Sequence, residues 1–510
     1  MCKSQLKFSC KILFVFFVLL FTLIINVYSQ KTSLIYIESA NSLEYDVNIG
    51  QNVNRFIGNV VFRHENIYLY CDSAYLYTDI NSVDAFGNVR IKANDTSNIY
   101  GDILKYNGNT YMAQISNNVK MIDNQIILTS ETLTYDVKNK IASYPSHADI
   151  VDLNNNLSSK KGFYYSDLKQ FYFYDNVVLV NPDYTIYTDT LIYNTITEIA
   201  YFNGPTTIIS NENTIYCEKG MYNTSTNEAF LVKNASLNNN KQKLRADSIY
   251  YDRNNSIGMG YNNVSIYDSS QNIIVNGNYA EFYEKQGNSI ITDSAELLLF
   301  DKKDTLWLHA DTLLLYFDDS TRQGKLLKAF YKTKFFRKDF QGMCDSLIYN
   351  FNDSTIALYK NPVLWTDENQ LTADKIIIWF QNGQVDSLLM NQSAFIISED
   401  GIDKYNQVKG KTMKGYFKKG ELDNIYVEQN AETVYYVRDD TNALIGVNVA
   451  SALNMMIYLK DSKVNRITFI KNVTGKMYPE KDLPEDEKKL KNFFWYEDRR
   501  PFFKEDIFIW

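Results

Sequence analysis

Proline and glycine are scarce, at 7 and 21 residues of 510. So few prolines leave almost every strand its full set of ladder donors. So little glycine excludes the glycine- and aspartate-rich nonapeptides of a calcium-binding solenoid. Histidine occurs only at His64, His147 and His309, each isolated, so no metal centre with clustered ligand spacing can be read. Cysteine is rare too: setting aside Cys2 and Cys10 near the start leaves Cys71, Cys217 and Cys344, widely spaced and odd in number. That pattern supplies no disulfide framework and predicts buried free thiols. Basic charge is also short, with 52 Lys and Arg against 60 Asp and Glu. An acidic chain is poorly suited to nucleic acid and gains nothing from an anionic membrane surface.

Long apolar runs are absent but for one. Lys3, Lys7 and Lys11 precede a nearly unbroken apolar stretch from Ile12 to Ile25, and Val27-Tyr28-Ser29 then offers a cleavage site before Gln30. This is the three-part pattern of a secretory signal peptide. The run falls short of the roughly 20 residues that span a bilayer, and Cys10 lies before it, which argues against an acylated N-terminus. Export with cleavage near Ser29 is expected. No second run of comparable length suggests a membrane-spanning helix.

What is abundant is a beat. An acidic residue is followed two positions later by an apolar one and four later by an aromatic or apolar one: Asp102, Leu104, Tyr106; Glu131, Leu133, Tyr135; Asp189, Leu191, Tyr193; Asp247, Ile249, Tyr251. Further copies start at Asp72, Asp311, Asp345 and Asp374. A second marker, Asn-Val, recurs about sixteen residues after an acid, ending at Val60, Val89, Val119, Val177 and Val264. Two markers in phase predict about twelve units of about 30 residues over 36–440.

The units are strands. Alternation of period two runs through Ile67-Tyr68-Leu69-Tyr70 and Ile186-Tyr187-Thr188. Forty tyrosines and thirty phenylalanines suit a pleated surface, and Asn107-Gly108 and Asn382-Gly383 suit tight turns. A unit this small cannot bury its own apolar face, so stacking into an all-β repeat with one interior is predicted. The domain organisation expected is a signal peptide over 1–29, a β-repeat domain over 30–460 and a tail over 461–510. In the tail, Pro484 to Leu490 predicts a short helix, and Phe493-Phe494-Trp495 predicts docking.

The stretch Ile35 to Ala40, then Phe56-Ile57-Gly58-Asn59-Val60-Val61-Phe62, then Ile67 to Ala74, resembles the OstA-like family. That family includes the periplasmic lipopolysaccharide-transport protein LptA and the N-terminal domain of its outer-membrane partner LptD. Trp495 to Pro501 resembles the tail of the long Bacteroidetes members. The resemblance implies a β-taco, a jellyroll-like stack in the periplasm that holds lipopolysaccharide or a related glycolipid in an apolar groove on its way to the outer membrane. It also implies edge-strand pairing, here through Ile35, Tyr36 and Ile37, with other transport components, and head-to-tail self-association. No cofactor is implied.

The groove candidates share two phases of the beat: Val60, Val89, Val119, Val177 and Val264, and Leu104, Leu133, Leu191, Ile249, Leu313, Leu347 and Ile376. On phase alone the same residues equally fill a packed core. Catalysis is disfavoured, because a catalytic carboxylate pair is a unique local arrangement whereas these acids recur in most units. The residue left over after 440 is too short for an outer-membrane barrel. A non-catalytic envelope scaffold or adhesin is the alternative to lipid transport.

Overall fold

Each strand carries apolar residues at every second position, so it must hide one face, and it does so by folding over. The structure, a computed structural model, describes residues 33–510 apart from 46–49, 93–96, 153–154, 212, 239–241, 301–303, 319–323, 367, 419–420, 440 and 461–462. The export segment 1–29 lies outside the described residues. Strand accounts for 74% of the chain, and among the described residues there is no α-helix. Two compact units divide between Pro182 and Asp183.

In the first unit, strands such as Val53–His64, Ile67–Tyr77, Ser82–Lys92, Ser97–Asn107 and Met112–Asp123 follow one another as antiparallel hairpins. Every second strand carries a bulge at its middle. Between Ile57↔Ser73 and Val60↔Cys71, two residues, Gly58 and Asn59, stand opposite the single Asp72. Both are left-handed, with φ of 80° and 49°. The same pair recurs as Gly87-Asn88, Asn117-Asn118 and Asp175-Asn176. Glycine and asparagine adopt this conformation at least cost, which explains the Asn-Val marker. The inward phase also changes at the bend. In Ile67–Tyr77 the buried residues are Ile67, Leu69 and Cys71 before it, and Ala74 and Leu76 after it. Two walls therefore face each other across an interior. Phe56 and Phe62, on either side of one bend, meet edge to face at 5.5 Å between centroids.

The second unit repeats the plan from Tyr184–Asn194 to Thr474–Tyr478. Left-handed pairs stand at Lys233-Asn234, Asn262-Asn263, Gln429-Asn430 and Lys471-Asn472. The ladder thus runs on where the sequence beat fades after 440. The strands there are long, as in Leu444–Lys460, and stretch the spacing.

The tail lies on the outer face of one wall of this unit. The short helix expected over Pro484 to Leu490 is instead a single 3₁₀ turn, Glu485–Glu487. No apolar stripe of helical period holds that segment, and tail-to-sheet contacts do. Leu483 packs with Val434, Tyr436 and Val447, and Tyr496 packs against Met343, Val363 and Trp365. Gln407 donates to the Lys488 carbonyl and accepts from the Leu490 amide, both at 2.8 Å. Gln370 does the same with the Phe494 carbonyl at 2.7 Å and the Tyr496 amide at 2.6 Å. Arg500 donates to Gln341 at 2.7 and 2.9 Å. The three glutamines occupy one register row, Gln341↔Trp365↔Gln370↔Ile397↔Gln407.

Candidate lipid-binding interior

All twelve groove candidates point inward and are buried, at 0 to 2% exposure. Val60, Val89, Val119 and Val177 in the first unit and Val264 in the second directly follow left-handed pairs, and each lines the corresponding wall of its own unit. Leu104, Leu133, Leu191, Ile249, Leu313, Leu347 and Ile376 lie on the other side of the bend and line the opposite wall. Val264 approaches Gly260, the register partner of Ile249, so the two sets meet across the interior. Ile91, Ile99, Ile115 and Leu128 belong to the same lining and are equally buried. The two sequence markers missed them because each samples only some strands; the period-two alternation carries their signal.

The interior is close-packed near the bends. Glycine on one wall makes room for a branched residue on the other at Gly101 with Ile115, Gly277 with Ile291 and Gly410 with Val427, where a Cβ would collide. Cys71, Cys217 and Cys344 are buried free thiols. Burial pushes Cys71 up to about 12 and Cys217 up to about 11, so neither is a nucleophile at neutral pH. Among the described residues no three metal-ligating side chains gather, and no helix is long and apolar enough to cross a membrane.

Opposite the bends the strand tips of the two walls meet along a seam, and polar groups cross it. In the first unit His64 Nδ1 lies 2.6 Å from the Tyr106 hydroxyl and Nε2 lies 3.1 Å from the Ser33 carbonyl. A carbonyl only accepts, so Nε2–H donates to it. Asn81 donates to the same Ser33 carbonyl at 2.9 Å and accepts from the Ile35 amide at 2.9 Å. Tyr111 donates to Glu65 at 2.7 Å. Asp123, only 1% exposed, accepts from Tyr164 at 2.6 Å, Lys169 at 2.7 Å and Ser166 at 3.0 Å. Burial alone would raise the Asp123 carboxyl, but hydrogen bonds from Lys169, Tyr164 and Ser166 outweigh it and hold the group below its ordinary range. In the second unit Arg253 pairs with Asp183 at 3.6 Å, and Gln271 donates to the Gly324 carbonyl at 3.1 Å. No sequence signal marks these latches, because their partners lie 31 to 70 residues apart and fall off the beat.

The seam of the second unit opens into a cleft of about 740 Å³, part of it in open solvent. Leu299, Leu306 and Phe340 line it from one wall and Tyr349, Ile356 and Phe380 from the other, with Asp304 and Arg337 also lining it. At the start of the first unit, Tyr36 and Ile37 belong to the strand Tyr36–Ser39, paired with Arg63 and Phe62. They are 56% and 39% exposed, whereas Ile35, just before the strand, is buried.

An antiparallel ladder folded over at a row of bulges around an apolar interior defines the β-taco class of stacked-strand proteins. Two family models match along it. "OstA-like protein" matches residues 32–189 and 185–247, and "LptA/(LptD N-terminal domain) LPS transport protein" matches residues 270–384. The chain belongs to the OstA-like family. Among solved structures, LptH from Pseudomonas aeruginosa, described as the LptA homologous periplasmic component of the conserved lipopolysaccharide transport device, is 18% identical. That match covers 23% of this chain and 82% of LptH, with a TM-score of 0.20. No curated protein matches the chain.

Proposed function

We propose that the chain is an exported periplasmic protein that binds lipopolysaccharide or a related glycolipid. Its acyl chains enter between the walls on their way to the outer membrane. The cleft at the seam carries this reading, since inward-phase side chains such as Leu299 and Tyr349 there border solvent. Elsewhere the seam is held by single polar latches rather than a backbone ladder. A latch contributes about 1 kcal/mol, whereas an acyl chain of about ten methylenes gains about 8 kcal/mol on burial. Lipid burial can therefore outweigh the opening of several latches. Other transport components pair along the edge strand Tyr36–Ser39 by strand addition. No reaction is proposed, because the family is one of transport proteins.

The close-packed interior favours a second reading, a stacked scaffold that carries nothing. A photo-crosslinking residue placed at Leu133, Leu191 or Ile249 in living cells separates the two. Under transport these positions capture glycolipid, while the exposed turn residues Ile196 and Ile402 do not. No adduct from any inward position of a folded, functional chain would leave the scaffold reading.

A further inference from the structure

The outward faces of corresponding walls differ in kind between the two units. In the first unit one register row reads Arg55, Tyr75, Asp84, Lys105, Gln114, Thr134. That is an ordinary solvated face. In the second unit the stretch of the equivalent outward row from Met221 to Leu389 holds only two charges, Glu281 and Lys328, before Lys414 on the next strand. The other side chains are Met, Phe, Tyr, Ile, Leu and Ala. None is fully buried, and Met221 and Phe230 are 40% and 37% exposed. At about 4.8 Å per strand the strip is about 50 Å long. The tail covers the outer face of the opposite wall, and among the described residues nothing covers this one. A continuous apolar strip of that length facing water marks an interaction surface.

We propose that the strip is the contact face between two copies of this chain, related by a two-fold axis parallel to the strands and passing between Ile290 and Leu314. Such an axis reverses the stacking order in the second copy. Ile290 pairs with Glu281 on one side, and Leu314 pairs with Lys328 on the other. The two charges therefore stand at equal distances on opposite sides of the axis. Ile290 of each copy faces Leu314 of the other, Glu281 faces Lys328, and Met259 faces Ile348. The two charges of this row meet as two opposite pairs, and apolar residues meet elsewhere along it; Lys219, Glu228, Asp252 and Lys375 stand in the flanking rows, towards the ends of the strip. Tyr279 and Tyr283 each donate to Glu281 at 2.6 Å and hold its carboxylate in place.

Charge placement excludes the simplest alternatives. A two-fold along the stack would set Glu281 against Glu281 and Lys328 against Lys328, and like charges repel. A lipid bilayer on the strip would bury both charges without a partner. Sheets packed face to face lie about 10 Å apart and cross at about 30°, so contact is densest around the axis, where the charges fall. A strip three residue rows wide offers about 700 Å² per copy, within the range of specific interfaces.

Charge exchange in the full chain tests this. Both sites are partly exposed, so reversing a charge leaves the fold intact, which circular dichroism verifies. Sedimentation velocity across a dilution series is expected to show a dimer. Glu281→Lys or Lys328→Glu alone is expected to raise its dissociation constant at least about tenfold. The two together are expected to restore it to within about threefold of the original. A monomer at every concentration, single variants that dimerise normally, or a double variant no better than the singles would each overturn the proposal. So would binding of phosphatidylglycerol vesicles that the single variants abolish.

Discussion

At the scale of single residues, the asparagine that ends four of the left-handed pairs (Asn88, Asn118, Asn234 and Asn263) has two roles. It tolerates positive φ, and its side chain clasps the acid sixteen positions earlier. Asn88 donates to Asp72 at 2.8 Å, Asn118 to Asp102 at 2.6 Å, Asn234 to Glu218 at 2.6 Å and Asn263 to Asp247 at 3.0 Å. The two sequence markers stay in phase because they are hydrogen-bond partners. Asn118→Gly keeps the backbone and loses the clasp, at about 0.5–1 kcal/mol, whereas Asn118→Ala loses both, at about 2 kcal/mol. Urea unfolding measures the difference, and equal losses would show that the backbone conformation contributes nothing. Asp123 is the other residue with a distinct consequence. Its folded carboxyl lies below the ordinary value of about 3.9. Its stabilisation is therefore present above that value and is lost as pH falls through the folded value. Asp123→Asn is expected to cost about 2 kcal/mol at pH 7, with the two stability curves converging as pH falls through the lowered folded value. A gap that persists in acid would contradict the role given to the charge.

At the scale of elements, the tail is held by the glutamine row beneath it as well as by its aromatic residues. Gln370 and Gln407 are both essentially buried, and each satisfies one carbonyl and one amide two residues apart on the tail. The contact points on the tail, at Lys488 and Phe494, match glutamines two strands apart on the sheet. Leucine at Gln370 has similar bulk but leaves the Phe494 carbonyl and Tyr496 amide unpaired, at about 1–3 kcal/mol each. Hydrogen exchange should then show the Tyr496 amide losing protection while strand amides keep theirs. Unchanged protection at Tyr496 would mean that ring packing alone holds the tail.

At the scale of the whole molecule, OstA-like matches fall in both units, and each unit repeats the same folded-over ladder. The differences between the units bear on function. The first has a polar outer row and seam latches around His64 and Asp123. The second has an apolar outer row, a tail over its other wall and a cleft in its seam. Glycolipid adducts at Leu133 in the first unit and at Ile249 in the second would show that both interiors take lipid. Adducts at Ile249 alone would assign lipid to the unit with the cleft.

The sequence by itself determined the strands, their inward phase, the repeat and the family. Each of these rests on local rules: alternation of period two, tolerance of left-handed backbone by glycine and asparagine, and a repeat of about 30 residues. All twelve residues chosen by phase are buried for that reason. The local sequence did not carry the helix expected in the tail, because a segment of mixed charge takes the conformation that its contacts impose. Only the tertiary structure decided that the acid and asparagine markers touch, that Gln370 receives Tyr496, that Asp123 crosses a seam to Lys169, and that an apolar row faces outward in one unit. These features depend on register between strands and on partners 16 to 126 residues apart. Neither is encoded within the span over which sequence periodicity acts.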